Sequence, residues 1–201
     1  MQLFKPSSVS SVKHHWIFSS LFLLTLFTLL FMSQSTALGQ EETKITPSDG
    51  QAGSYFGSGL SFANNRMLIG AHGANSGAGK AYVYDYDGST GRWALRGVLE
   101  QSLPETDDRM GQELGFDGNH AILNVKDRPS QFIIVTDGVY FFSRNTSDNS
   151  WTQTGRETLT EVETSSGVVS VRGFGDQVAM HNETAAISAV QGTNTTTIFL
   201  Y

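Results

Sequence analysis

The feature that most constrains this chain is an internal repeat that aligns without gaps. The segment Phe56-Gly57-Ser58-Gly59-Leu60-Ser61-Phe62, continuing through Met67-Leu68-Ile69-Gly70-Ala71, has a second copy from Met110-Gly111 to Val125 and a third that opens at Phe174-Gly175. At a constant offset of 54 residues, Gly57 falls on Gly111, Leu60 on Leu114, Phe62 on Phe116, Asn65 on Asn119 and Met67-Leu68-Ile69 on Ala121-Ile122-Leu123. At an offset of 118, Val178, Met180 and Ala185-Ala186-Ile187-Ser188-Ala189 continue the third copy. A second block follows the first: Val139-Tyr140-Phe141-Phe142 answers Ala81-Tyr82-Val83-Tyr84 at 58 residues, and Trp151 answers Trp93 at the same spacing. Ile198-Phe199-Leu200-Tyr201 matches this block in the third copy, where no third Trp follows. Self-similarity of this period marks a repeat architecture.

Each unit holds four short apolar stretches separated by Gly, Asn and Asp clusters. In the first unit they are Tyr55 to Ala63, Met67 to Ala71, Ala81 to Tyr86 and Trp93 to Leu99. Tyr82, Tyr84 and Tyr86 alternate along one of them, as on a strand with one packed face. The 21 Gly against 4 Pro, with 13 Phe, 6 Tyr and 3 Trp, fit turn-rich aromatic strands rather than helices. Four antiparallel strands per unit make a propeller blade, and recurrence of the same residues every 54 to 64 positions favours radial repetition over a sandwich.

The residues Asp49-Gly50-Gln51-Ala52-Gly53-Ser54-Tyr55-Phe56-Gly57, then Leu68-Ile69-Gly70-Ala71-His72-Gly73, then Gly79-Lys80-Ala81-Tyr82-Val83-Tyr84 resemble the FG-GAP repeat. That family builds the β-propeller at the head of integrin α subunits and of many secreted or surface-attached proteins. The resemblance covers about residues 45–201. Met110 replaces the Phe in the second unit, and Asn124-Val125-Lys126 and Ser188-Ala189-Val190 replace the Gly-Ala stretch in the second and third. The resemblance implies an all-β fold of FG-GAP-type blades: a lead-in strand at 40–54, blade 1 at 55–107, blade 2 at 108–172 and an incomplete blade 3 at 173–201. The repeat-defining structural residues are Phe56, Gly57, Gly70, Ala71, Gly111, Phe174, Gly175, Trp93 and Trp151. Propellers close with about 4 to 8 blades. An arc this short implies a truncated reading frame, assembly with further copies, or a small closed ring. In the last two cases Lys44-Ile45-Thr46 would complete the last blade.

Ahead of the repeats, Trp16 to Met32 runs seventeen residues without a charge, after Lys5 and Lys13 and before small residues at Ala37 and Gly39. This is the layout of a signal peptide over 1–39, cleaved between Gly39 and Gln40. The rival is an uncleaved signal anchor, since seventeen helical residues span roughly 26 Å against a hydrocarbon core of ~30 Å. Either reading exports the repeats, to a secreted or cell-surface location. Three N-x-S/T sequons, at Asn145, Asn182 and Asn194, are candidate glycosylation sites.

Composition and spacing speak against most chemistry. The formal charge of −6 disfavours a nucleic-acid partner. Without Cys there is no thiolate nucleophile and no Cys-based metal site. His72, His120 and His181 fall on three different repeat registers, so they build no symmetric ligand ring. In the integrin propellers some units hold calcium between the first two strands; here that connection is Ala63-Asn64-Asn65-Arg66, Asp117-Gly118-Asn119-His120 and His181-Asn182-Glu183-Thr184, too poor in oxygen ligands for a Ca²⁺ that takes ~6 to 8. Asp85-Tyr86-Asp87-Gly88 reads as a hairpin turn rather than a cation loop. Gly73 to Lys80 resembles a phosphate loop but enters a strand, and no G-x-S-x-G elbow is present. Asp107-Asp108 and Glu161 with Glu163 read as solvated charge in connections between units. No catalytic, cofactor or metal residue is therefore assigned. The aromatic ladder is expected to pack between blades, and partners are expected on the variable loops Gly73 to Gly79 and Asp127 to Ser130.

These readings point to an exported, non-enzymatic propeller segment, integrin-α-like, serving recognition, adhesion or scaffolding. The alternatives are an accessory propeller of a larger secreted hydrolase and a carbohydrate-binding propeller. The expected partner is an extracellular protein or glycan, with self-association through open blade edges as a further route. A membrane enters only through an uncleaved N-terminal segment.

Overall fold

Short turns with positive φ decide where each repeat folds back on itself. The computed structural model describes residues 43–126, 137–192 and 195–201. The apolar run, the expected cleavage point, the Asp127 to Ser130 loop and Asn194 lie outside the described residues. Among them the chain forms three antiparallel sheets and no helix. The first sheet holds β1 (Phe56–Ala63), β2 (Arg66–Ala71), β3 (Lys80–Asp87) and β4 (Arg92–Leu99); the second holds β5 (Leu114–Phe116), β6 (His120–Val125), β7 (Gly138–Arg144) and β8 (Trp151–Thr158). The third holds β9 (Glu161–Thr164), β10 (Gly167–Arg172), β11 (Val178–His181), β12 (Thr184–Gln191) and β13 (Thr195–Leu200). At the turns joining β1 to β2, β5 to β6 and β11 to β12, Asn64 and Asn65 have φ of 50° and 59°, Gly118 has 101°, and Asn182 and Glu183 have 45° and 66°. Asn and Gly enter this region at least cost.

The strand pairings reproduce the sequence offsets. Leu60 faces Ile69, Leu114 faces Leu123 and Val178 faces Ile187. Across the next pair, Ile69 faces Tyr82, Leu123 faces Tyr140 and Ile187 faces Phe199. Even the irregularities recur: a bulge follows Val83 in β3 and Phe141 in β7. The three sheets are therefore FG-GAP-type blades at the level of individual residue pairs.

The blades stack in one direction. Leu114, Phe116, Ala121, Leu123, Tyr140 and Phe142 of the second sheet bury against Leu68, Ala81, Val83 and Leu99 of the first. The opposite face of the second sheet, with Ile122 and Val139, packs on Ala185, Ile187 and Ala189 of the third. Residues at the positions of 67, 69 and 71 thus always face the preceding blade. At roughly 25 cal/mol per Å², such apolar faces supply the main drive for stacking.

The lead-in segment differs from expectation. Described residues 43–55 form no strand, and Ile45 packs on the outer face of the first sheet beside Phe56 and Trp93. In this structure the segment covers blade 1, and among the described residues it pairs no strand of the last sheet. A second difference concerns residues 159–172, assigned above to blade 2. Here β9 and β10 form a hairpin whose end pairs β12 through Val171 and Arg172, so it belongs to the third sheet. The Thr164 hydroxyl bonds the Gly167 carbonyl across its turn (2.8 Å), and Leu159 and Val162 pack on the third-sheet core.

A carboxylate ties the turns of neighbouring blades together. Asp117 accepts backbone N–H bonds from Asn119 (2.9 Å), His120 (2.7 Å) and, across the interface, Glu183 (3.0 Å), with His120 Nδ1 at 3.0 Å. Burial alone would raise its pKa, but these donors overcome burial and hold it at about 2. Asn64 Nδ2 donates to the Asp117 carbonyl (3.0 Å) and Arg66 to the Gly118 carbonyl (2.9 Å), joining blade 1 to the same turn.

Two outcomes follow. A Cβ added at Gly70 would lie 1.9 Å from the Gly111 carbonyl oxygen, whereas one at Gly88 meets nothing nearer than 4.0 Å. Gly70→Ala should cost about 1–3 kcal/mol in urea unfolding, with Gly88→Ala within about 0.5 kcal/mol of the parent. Because the folded-state pKa of Asp117 is depressed, its stabilisation is complete above the unfolded value near 4 and is lost as pH falls toward 2. The urea midpoint should therefore fall across that window in the parent and fall less in Asp117→Asn.

Candidate functional site

At the end of the strands opposite the Asp117 turns, three connections of blade 1 meet. Residues 73–79 are wound by short backbone bonds, including Gly77 N–H to the Ala74 carbonyl (3.1 Å) and Gly79 N–H to the same oxygen (2.9 Å). Asn75 and Ser76 carry positive φ of 52° and 58°, so the loop presents two exposed polar residues from a set backbone. The crossing to blade 2 docks on it, with Arg109 N–H on the Gly77 carbonyl (2.8 Å) and Met110 N–H on that of Ala78 (3.0 Å). From the other side Gly73 donates to the Ser54 carbonyl (3.1 Å). A Cβ at Gly73 would lie 2.1 Å from the Gly53 oxygen, which makes glycine necessary there.

These connections enclose a polar cleft of about 500 Å³ lined by Asp49, Gln51, Ser54, Asn75, Ser76 and Lys80. Lys80 Nζ donates to Asp49 (2.6 Å) and to Glu100 (3.3 Å), and the Tyr82 hydroxyl donates to the other Asp49 oxygen (2.9 Å). Burial would lower the Lys80 pKa, yet the bond to Asp49, helped by Tyr82 and Glu100, raises it to about 12. Burial and the Asp49 carboxylate push Tyr82 up to about 12 as well, while Lys80 holds Asp49 below the ordinary carboxylate range. Lys80 is consequently a permanent cation and cannot serve as a base near neutrality. The constellation fixes the 47–54 segment and leaves hydrogen-bonding groups of the loops facing the cleft.

A second cleft of about 300 Å³ adjoins the first, lined by Tyr55, His72, Ser76, Gly77, Asp107 and Arg109. The Tyr55 and His72 rings stack with centroids 4.7 Å apart and planes 7° from parallel. Burial, then the charge of Arg109, lower the His72 pKa, which keeps the ring neutral at pH 7. Its buried Nδ1 has no hydrogen-bond partner. Together the clefts offer neutral donors and acceptors, one cation held by two carboxylates and an exposed aromatic stack, an arrangement suited to recognising a polar ligand.

The residues singled out from the sequence take separate places. Gly57, Gly111 and Gly175 all have positive φ, at 93°, 89° and 84°. Phe56, Ala71 and Trp93 lie in the outer-face cluster of blade 1, and Phe174 is buried in the cluster between blades 2 and 3. Trp151 lies against Gly97. Asn145 and Asn182 are exposed on turns. His72, His120 and His181 stand apart, and among the described residues no three metal-binding side chains gather. The Gly73 to Lys80 stretch leads into β3, Asp85 pairs with Arg66 (2.9 Å), and Asp87 accepts from the Ser89 N–H (2.9 Å) in a turn. Glu161 and Glu163 are exposed on β9. Asp108 departs from the solvated reading: it is buried and accepts from Gln101 Nε2 (2.7 Å) and the Glu105 N–H (3.2 Å).

Asp49, Tyr55, Lys80, Glu100 and Arg109 were not marked as a site by the sequence. One signal was available: Lys80 stands where the second copy has Gly138, a charge without a counterpart in the repeat. Lys80→Gln should release the 47–54 segment, raising amide exchange there by roughly a few-fold, in line with a partly exposed ion pair, without changing exchange in β7.

Residues 40–84 match the FG-GAP repeat family model. A search of curated proteins finds no match to the chain. The family match runs through the lead-in segment, β1, β2 and most of β3, so the chain carries an FG-GAP repeat there, and the register of those strands recurs in both later sheets.

Proposed function

We propose that the chain is a non-enzymatic recognition module that acts outside the cytoplasm and binds an extracellular protein through the loop end of blade 1. The observation that carries this reading is the pair of adjoining clefts on a backbone fixed by the Asp49–Lys80–Glu100 cluster. A rigid scaffold displaying polar loops is the usual way a repeat fold presents function. In the larger cleft Asp49, Lys80 and Glu100 are paired with one another, which favours binding over acid–base chemistry there. Export rests on the apolar run behind two lysines, and on the FG-GAP resemblance to integrin α heads. Among the described residues no helix is long and apolar enough to cross a membrane. Exposed Asn145 and Asn182 are accessible for glycosylation on this reading.

The test is surface plasmon resonance of the purified chain against immobilised matrix proteins, with a glycan panel and a glycosidase screen beside it. Saturable binding to a matrix protein, weakened about tenfold or more by Ser76→Arg with an unchanged melting temperature, supports the reading. Glycan binding alone would favour the carbohydrate-binding alternative, and loss of signal on every surface together with hydrolysis would overturn it in favour of an enzyme.

A further inference from the structure

The residue that opens each repeat takes a left-handed backbone, and the third unit alone gives that place to glycine. Tyr55, Arg109 and Gly173 stand at one repeat position, directly before Phe56, Met110 and Phe174, and their φ values are 52°, 51° and 61°. Glycine adopts this conformation freely, whereas a bulky side chain there is strained and is held by its surroundings. The chain bears that strain twice, and both side chains line the cleft of about 300 Å³ beside His72. Tyr55 is 64 % exposed while stacked on the neutral His72 ring. Arg109 is half-buried, with its own N–H tied to the Gly77 carbonyl. The other half-buried cations have partners: Arg66, Lys80 and Lys126 each meet a carboxylate, and Arg144 donates to Asn119. The Arg109 guanidinium has, among the described residues, neither a carboxylate within ion-pair distance nor a hydrogen-bond acceptor.

We infer that Arg109, walled by the Tyr55–His72 stack, binds the carboxylate of an aspartate or glutamate side chain presented by a partner protein. This rests on the recognition reading above and names the chemistry of its ligand. The planar guanidinium matches a carboxylate through two parallel N–H···O bonds, and partial enclosure strengthens such a pair over one in open water. Tyr55 offers an apolar ring face to the stem of the acidic side chain, with a polar tip toward water. The ligand carries one negative charge rather than several. The cleft holds a single unpaired cation, Asp107 lines it with the opposite charge, and the chain's net charge is −6, so a sulfated or phosphorylated chain would be repelled. Where the third unit opens with Gly173, neither ring nor guanidinium is displayed and no such strain is borne.

The probe is N-acetyl-aspartate amide, titrated into the whole isotope-labelled chain and followed by NMR at the Arg109 Nε–H and the Tyr55 amide, with N-acetyl-asparagine amide as the uncharged control. The expected result is a saturable shift with the aspartate compound and an affinity about tenfold or more weaker for the asparagine control. Arg109→Gln should abolish the response at the Tyr55 amide with an unchanged urea midpoint, and Tyr55→Ala should weaken it several-fold. Arg109→Gly relieves the backbone, so its midpoint should be no lower than the parent's. Loss of the response together with an earlier midpoint in both Arg109 variants would make the residue a prop of the fold and overturn the site. Equal responses to the two amides, or a response untouched by Arg109→Gln, would overturn it as well. Tighter binding of glucuronic acid or of a sulfated disaccharide would overturn the protein side chain as ligand and assign the cleft to an acidic glycan. A matrix protein that binds the parent and Arg109→Gln equally would overturn this site and leave the recognition reading standing, whereas a response to the aspartate probe with no matrix protein bound supports the carboxylate site and counts against that reading alone.

Discussion

The close approach of each blade's opening turn to the blade before it is the contact on which the rest depends. Gly111 sits against blade 1, where a Cβ would be 3.1 Å from the Lys80 oxygen and 3.6 Å from Gly70 Cα. Gly175 repeats the contact on blade 2, at 3.1 Å from the Gly138 oxygen and 3.6 Å from Asn124 Cβ. Both glycines carry positive φ, so conformation and space exclude a side chain together. Without that approach the apolar faces of neighbouring sheets would stand apart, and neither Leu68 against Leu123 nor Ile122 against Ile187 would be sealed from water.

The same contact explains why the degenerate positions of the repeat are tolerated. Gly70 becomes Asn124 and Ser188 in the later units, which places a polar side chain in a buried site. Each acceptor is answered locally: Asn124 Oδ1 accepts the Glu113 N–H (2.8 Å), and Ser188 Oγ accepts the Gln177 N–H (2.9 Å), while the buried Asn124 Nδ2 has no partner. A buried polar group that meets a backbone donor costs little, whereas one left unpaired costs about 1–3 kcal/mol. Short side chains with an acceptor are therefore the substitutions the position admits.

What the sequence made legible is what repetition encodes. Offsets of 54, 58 and 118 residues between equivalent positions became strand registers, and the bulges, which nothing in the sequence had marked, recur at the 58-residue spacing. What it hid are features that occur once. The β9–β10 hairpin was obscured by Glu161 and Glu163, whose charge reads as solvated connection although Val162 and Val171 supply an inner face. Ile45 follows no repeat and so gave no sign that it covers blade 1. The cleft residues Asp49, Lys80 and Glu100 are far apart in the chain, and only the fold of one unit brings their charges within 3.3 Å. Asp108 looked like half of an exposed acidic pair because nothing in its neighbourhood announces the buried Gln101 that binds it.

Stacking in a single direction also limits how these blades can associate with anything else. The face bearing positions 67, 69 and 71 meets the opposite face of its neighbour at both interfaces, never its own kind. Such contacts are heterologous, and a two-fold axis cannot satisfy them, because it would set like faces together. The exposed Phe62 of blade 1, at 61 %, stands where Phe116 is 4 % exposed under a neighbouring blade. A further blade stacked on Phe62 and Trp93 as blade 1 stacks on Phe116 and Trp151 would set a glycine opposite the indole. Where the described residues show this fit, with Trp151 on Gly97, it rests on one large ring and one absent side chain, so changing either member of the pair disturbs that interface.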